Sequence, residues 1–361
     1  MRNLPAFAVV LLTWTLPLSA APVTVAPDDP HLLYSGRRDD SKPGEVQLGY
    51  SGARVRMAFE GPALVVKLES AKPNWVNIYV DGRRTEKLKV DGEETAYPVA
   101  SGLGAGVHTV EIVKATEGMV GPVTFRGFEL PEGGKVVEYP NPETRRIEFI
   151  GDSITCGYGI EVDDPKVHFT PDTENFCDTY AWRTARALNA EYAVVARSGI
   201  GMLRNYGGPT DGNPDNMPAI YDRALFHNKT PWDFSRFVPN VICINLGTND
   251  FSGKGPNLEL FTGNYVEFIK KLIGLHPEAR IVVLAGPMNN TRTLKDLLNQ
   301  VVDTVNAEHP GKVTFFELSA QGARGHGADY HPSRAQAEVN GEELAEYLSE
   351  LMGWSLSPLN E

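Results

Sequence analysis

Four short stretches, far apart in the chain, carry the residue types that acyl transfer needs. They are Gly151-Asp152-Ser153, Ser198-Gly199-Ile200-Gly201, Gly247-Thr248-Asn249-Asp250 and Gly327-Ala328-Asp329-Tyr330-His331-Pro332. A serine hydroxyl becomes a nucleophile when a neighbouring imidazole takes its proton, and the tetrahedral intermediate then needs donors aimed at its oxyanion. On this reading Ser153 attacks, His331 is the base, and the Asn249 amide forms the oxyanion hole with the N–H groups of Gly201 and Ser153. No cofactor is expected. Nor is a zinc site, because no two of Cys156, Cys177 and Cys243 have ligand spacing.

Singly, each stretch has a plain explanation. A serine after a strand often caps a helix, a Gly-x-Gly marks a turn, and a histidine before the last helix can serve as its cap. The elements around them give the set its force. From Arg146 onward apolar strands at 147–150, 192–196, 241–246, 281–285 and 313–318 alternate with helices near 178–190 and 294–305. A stripe of Leu258, Phe261, Tyr265, Phe268 and Leu272 marks another helix, and Leu344, Leu348 and Leu351 mark the last. Five buried strands separated by helices predict an α/β fold, a parallel five-stranded sheet flanked by helices. The carboxyl ends of its strands share one edge, so all four stretches arrive on one rim.

The chain ahead of that sheet obeys a different rule. Residues 22–134 hold short β-rich runs, such as Arg54–Phe59, Leu64–Leu68, Val76–Val80 and Val107–Val113, punctuated by Asp81-Gly82 and Asp91-Gly92 turns. They predict a separate all-β sandwich of jelly-roll type. Trp75 or Tyr79 could stack on a sugar ring, but the strand pattern already accounts for both as packing residues. A Pro- and Gly-rich run from Leu130 to Glu143 marks the boundary, with residues 135–145 as linker and 146–361 as the second domain.

Residues 1–21 read as a secretory signal peptide, with Arg2, an apolar run from Ala6 to Leu18 and a small-residue end; Ser19 and Ala21 fit the small-x-small rule but leave Pro22 first, whereas cleavage after Ala20 sets Leu18 where a small side chain is preferred. No later segment reaches membrane-spanning length. A net charge of −12, spread in both signs along the chain, argues against nucleic-acid or anionic-membrane partners. In an oxidising compartment three cysteines allow one disulfide, Cys156 and Cys177 being closest in sequence, while Cys243 reads as a buried strand thiol.

With these residues in view, the second domain resembles the SGNH hydrolases, also called GDSL esterases. The β-domain in front, the continuation Ile154-Thr155-Cys156-Gly157-Tyr158-Gly159 and the ending Asp329-Tyr330-His331-Pro332 make the chain similar to carbohydrate esterase family two. That resemblance implies a secreted esterase that removes O-acetyl groups from plant cell-wall polysaccharides, notably at the 6-hydroxyl of hexose units. Its partner is then an acetylated polysaccharide of glucomannan or xylan type.

The wider SGNH pattern sets its acid three residues before the histidine, where this chain has Ala328. Asp329, two residues before, is the optional third member of the catalytic set; the alternative is a Ser153–His331 dyad oriented by a backbone carbonyl. Tyr330 and Tyr206 resemble positions where the family sets aromatics around the sugar, and packing against the sheet is the other reading of each. Trp182, Trp232 and Trp354 read as packing residues. A lipase or thioesterase would need a greasy tunnel, and the insertion at 199–239 is rich in Asn, Asp, Gly and Pro. A sugar-binding protein without catalysis would leave the four stretches unexplained.

Overall fold

The computed structural model describes residues 21–140 and 142–357, so the expected signal peptide lies, but for Ala21, outside the described residues. The front domain is an antiparallel sheet of ten strands among them. Its largest unit is a hairpin of Leu64–Val80 with Arg83–Ala100. The hairpin turns at Asp81-Gly82, where both residues have positive φ, the backbone that a two-residue hairpin turn requires. Sequence reading saw the two apolar ends of the first strand but not the bulged middle around Ser70–Asn74. It also missed the second strand, whose face is mostly charged and exposed. Leu48, Val55, Met57, Phe59, Val66, Ile78, Phe125 and Phe128 form the domain's core.

The linker is shorter than its composition suggests. Lys135–Val137 pairs antiparallel with Ala58–Glu60 and belongs to the first sheet. Gly134 permits this, since a Cβ there would lie 2.7 Å from that of Leu130.

The second sheet has five parallel strands among the described residues. In spatial order they are Ala190–Ala196, Arg145–Gly151, Val241–Asn245, Arg280–Ala285 and Val313–Glu317. Alternate residues face opposite layers. Ile150, Ile244 and Val283 pack on helices Leu258–Leu275 and Arg292–Glu308, and Phe149, Cys243 and Val282 on helices Tyr180–Ala187 and Arg334–Met352. Chain order reverses between the strands ending at Gly151 and Asn245, which is where such sheets leave a crevice for ligands.

The two domains share their cores. Tyr79 and Val113 of the front domain sit in one hydrophobic cluster of the second, and Tyr50 sits in the other. The buried Arg37 guanidinium donates to Glu148 Oε1 at 3.2 Å, and Asn77 Nδ2 donates to Asn175 Oδ1 at 2.9 Å. Cys156, Cys177 and Cys243 are all buried free thiols, so the Cys156–Cys177 bond that the count allowed is not formed.

Candidate active site

The first strand stops at Gly151 because the chain must turn sharply there: a Cβ on Gly151 would lie 2.1 Å from Thr155 Oγ1. Asp152 caps the single helical turn that follows, its Oδ1 accepting the Ile154 N–H at 3.0 Å. Ser153 is the first residue of that turn, and Gly157, at φ 88°, closes it. Burial raises the Asp152 carboxyl to about 7.

His331 arrives from the loop after the last strand. Gly159 admits that loop, since a Cβ there would come within 2.3 Å of Ala328 Cβ. His331 Nε2 lies 2.8 Å from Ser153 Oγ, across 178 positions of sequence. Its Nδ1 faces the Ala328 carbonyl at 3.2 Å, which sets the tautomer with the proton on Nδ1 and leaves Nε2 free to accept. Burial pushes the imidazole down to about 4.

Asp329 does not orient His331 directly, which corrects the triad option. Asp329 and Tyr330 both have positive φ, at 48° and 61°, and this left-handed pair swings the Asp329 carboxylate away from Nδ1. It accepts instead from Tyr158 Oη at 2.9 Å and the Phe169 N–H at 2.9 Å, and it pairs with His168 Nδ1 at 2.8 Å. The same turn carries Tyr330 outside the cleft lining: its ring packs near His326 and is 56% exposed.

Gly201 is a second correction. Its N–H donates to Asn205 Oδ1 at 3.2 Å, and a Cβ there would lie 1.9 Å from the Arg204 carbonyl oxygen. Gly201 therefore shapes a buried turn, and it is Gly199, at φ 76°, that borders the cleft. Asn249 stands at the cleft beside Ser153, with Nδ2 donating to the Ile200 carbonyl at 2.8 Å and to Asp152 Oδ2 at 3.2 Å. Asp250 accepts the N–H groups of Met202, Leu203 and Arg204 at 2.7 to 2.9 Å and so braces the glycine loop.

Ser153 and His331 open into a cleft of about 1370 Å³ between the domains. Tyr206, 74% exposed, stands on one wall. Trp75, Lys72, Lys89 and Glu117 of the front domain form the other, together with Met119. Sequence reading placed Trp75 in the packing; it is only half-buried, immediately after the bulged part of its strand, where a single aromatic gives no periodic signal. Tyr79 does pack, against Trp182 at 5.3 Å, and Trp182 and Trp232 are buried.

Residues 34–140 match the model "Carbohydrate esterase 2 N-terminal", and residues 149–339 match the "GDSL-like Lipase/Acylhydrolase family". The chain is 37% identical to a family two carbohydrate esterase from Clostridium thermocellum, solved in complex with cellohexaose. The superposition has a TM-score of 0.85 and covers 90% of this chain and 99% of that one. The chain belongs to carbohydrate esterase family two. This esterase is also 37% identical to "Cellulase/esterase CelE" of Acetivibrio thermocellus over 91% of its own length, while spanning only 40% of that relative. An "Acetylxylan esterase / glucomannan deacetylase" of Cellvibrio japonicus is 29% identical over 96% of this chain and 99% of the relative. The esterase is thus a GDSL-type hydrolase with the α/β second domain and all-β front domain that its strand patterns predict.

Proposed function

We propose that this esterase removes O-acetyl groups from plant cell-wall polysaccharide of the glucomannan or xylan type, through an acetyl-serine intermediate. The observation that carries the reading is the 2.8 Å contact of Ser153 Oγ with His331 Nε2 on the floor of a wide cleft with aromatic walls. His331 Nε2 takes the Ser153 proton as Oγ bonds to the acetyl carbonyl carbon. The N–H groups of Ser153 and Gly199 and the Asn249 amide receive the oxyanion, Asn249 turning its longer bond away from Asp152. Collapse breaks the bond to the sugar oxygen, which leaves as a hydroxyl with the proton from Nε2. Water, deprotonated by the same nitrogen, then releases acetate and restores Ser153.

The Ala328 carbonyl holds the Nδ1 proton throughout, so the catalytic pair is a dyad. Tyr206 and Trp75 offer ring faces to a pyranose on opposite walls, and the cleft is broad enough for a polymer rather than a single fatty acyl chain. A substrate outside the cell agrees with the signal peptide read at residues 1–21, and no helix among the described residues is long and apolar enough to cross a membrane.

The test is acetate release from acetylated glucomannan and acetylated xylan by wild type and Ser153→Ala. Release from one or both by wild type alone supports the reading. Hydrolysis of short acyl thioesters with no release from either polymer would replace the substrate while keeping the mechanism.

A further inference from the structure

Glu117 is the one acidic residue of the front domain in the cleft lining, in the loop that follows strand Val107–Lys114. It is only 2% exposed. Its Oε2 accepts the N–H of Ser198 at 2.7 Å, immediately before Gly199, and lies 3.9 Å from Cys156 Sγ. Cys156 ends the helical turn that Ser153 begins. One carboxylate oxygen therefore touches both the turn that bears the nucleophile and the loop that bears the glycine donor, although it comes from neither segment.

Its own position is fixed from three sides. The Glu117 N–H donates to Glu174 Oε2 at 2.8 Å, its carbonyl accepts from the buried Lys114 Nζ at 3.1 Å, and the carbonyl of Ala115 accepts the Phe176 N–H at 3.0 Å. Glu117, Cys156 and Glu174 bring three ligand-type atoms within 4.8 Å. A metal is a poor occupant, because the Glu117 oxygen is spent on the Ser198 N–H and the Lys114 ammonium already stands nearby. Burying a carboxylate is costly. A domain that needed only to dock would close this contact with apolar side chains, as it does with Tyr79 and Val113.

We infer that Glu117 is a positioning residue: the front domain lends it to the catalytic centre, where it holds the Arg197–Ser198 peptide by its N–H and so fixes the peptide that follows, whose Gly199 N–H faces the carbonyl under attack. The inference rests on the serine mechanism proposed above. It makes the front domain part of the reaction site as well as a wall of the cleft. A donor that drifts by about 1 Å costs on the order of a hundredfold in rate, and loss of an oxyanion donor costs roughly as much or more.

The experiment compares wild type, Glu117→Asp, Glu117→Gln and Ser153→Ala on 4-nitrophenyl acetate, with kcat and KM measured separately. Glu117→Asp keeps the charge but withdraws the oxygen by about one carbon–carbon bond, roughly 1.5 Å. It should lower kcat at least tenfold with KM within threefold. Glu117→Gln keeps an acceptor of the same reach and should hold kcat within fivefold of wild type. An Asp variant with unchanged kcat overturns the inference, as does a Gln variant as slow as the Asp variant, since then reach is not what matters. Ser153→Ala at wild-type rate would overturn the serine mechanism itself, a separate failure that the Glu117 variants cannot mimic.

Discussion

The Tyr158 ring lies face to face with the His331 imidazole, their centroids 4.1 Å apart and their planes 28° from parallel. Phe169 covers the other face of Tyr158 at 4.0 Å, and the Tyr158 hydroxyl donates to the Asp329 carboxylate. Asp329 therefore reaches the base through an aromatic ring. An aromatic face attracts a cation, by about 2 kcal/mol where water is excluded, and His331 becomes a cation as it takes the Ser153 proton. Tyr158→Leu should lower kcat about tenfold or more on 4-nitrophenyl acetate, while Tyr158→Phe, which keeps the ring, should stay within threefold. Equal losses in both would show that the hydroxyl, and not the ring face, matters.

Asp329→Asn should be mild. In a serine protease, loss of the acid that fixes the histidine tautomer costs roughly ten-thousand-fold in kcat. Here that task belongs to the Ala328 carbonyl at Nδ1, and Asp329 has its own partners in the Phe169 N–H, His168 and Tyr158. We expect a fall of less than about tenfold by the same assay. A drop of a thousandfold would restore the acid to the catalytic set.

The pH profile follows from the burial of His331, which pushes its imidazole from the usual 6.5 to about 4. The neutral ring is the working form, and a lowered value means that this form persists to lower pH. kcat/KM should therefore rise with pH through about 4 and be nearly level from about 5 to 7, where a solvent-exposed imidazole would still be titrating. Measuring kcat/KM from pH 3.5 to 8 checks this, and an acid limb centred at 6.5 would contradict it.

Ser153, His331 and Asn249 were legible in the sequence because each follows a strand, and strand ends of a parallel sheet share an edge whatever lies between them. Gly199 and Gly201 could not be told apart in that way. Only the fold shows that Gly201 is walled in by Arg204 and Asp250 while Gly199 borders the cleft. Asp329 and Tyr330 were misjudged because two successive non-glycine residues with positive φ leave no mark in residue type, yet they decide where both side chains go. The wall built by Trp75 and Glu117 was hidden for another reason. It depends on how two domains dock, and no local pattern encodes that.

Asp250 gives a stability prediction rather than a kinetic one. Its carboxylate accepts three backbone N–H groups of the glycine loop and is fully enclosed, and the Arg204 guanidinium donates to its carbonyl at 2.9 Å. Asp250→Ala strips partners from donors that water cannot reach, at about 1 to 3 kcal/mol for a buried group left unpaired. Urea unfolding should show a loss of about 3 kcal/mol or more. A loss below about 1 kcal/mol would mean that the loop finds other acceptors.

Tyr206 and Trp75 should matter for polymer and not for a small ester. Neither touches Ser153 or His331 by hydrogen bond, and both border the same cleft, one 74% exposed and the other half-buried. A ring stacked on a sugar face contributes binding that 4-nitrophenyl acetate cannot use, so removing it raises KM for the polysaccharide and spares the chemical step. Tyr206→Ala and Trp75→Ala should each raise KM for acetylated glucomannan about tenfold or more, with kcat and KM for 4-nitrophenyl acetate within threefold of wild type. If Trp75→Ala instead slowed both substrates equally, the tryptophan would be holding the front domain in place, and the polysaccharide would have to be gripped by Tyr206 and the polar rim alone.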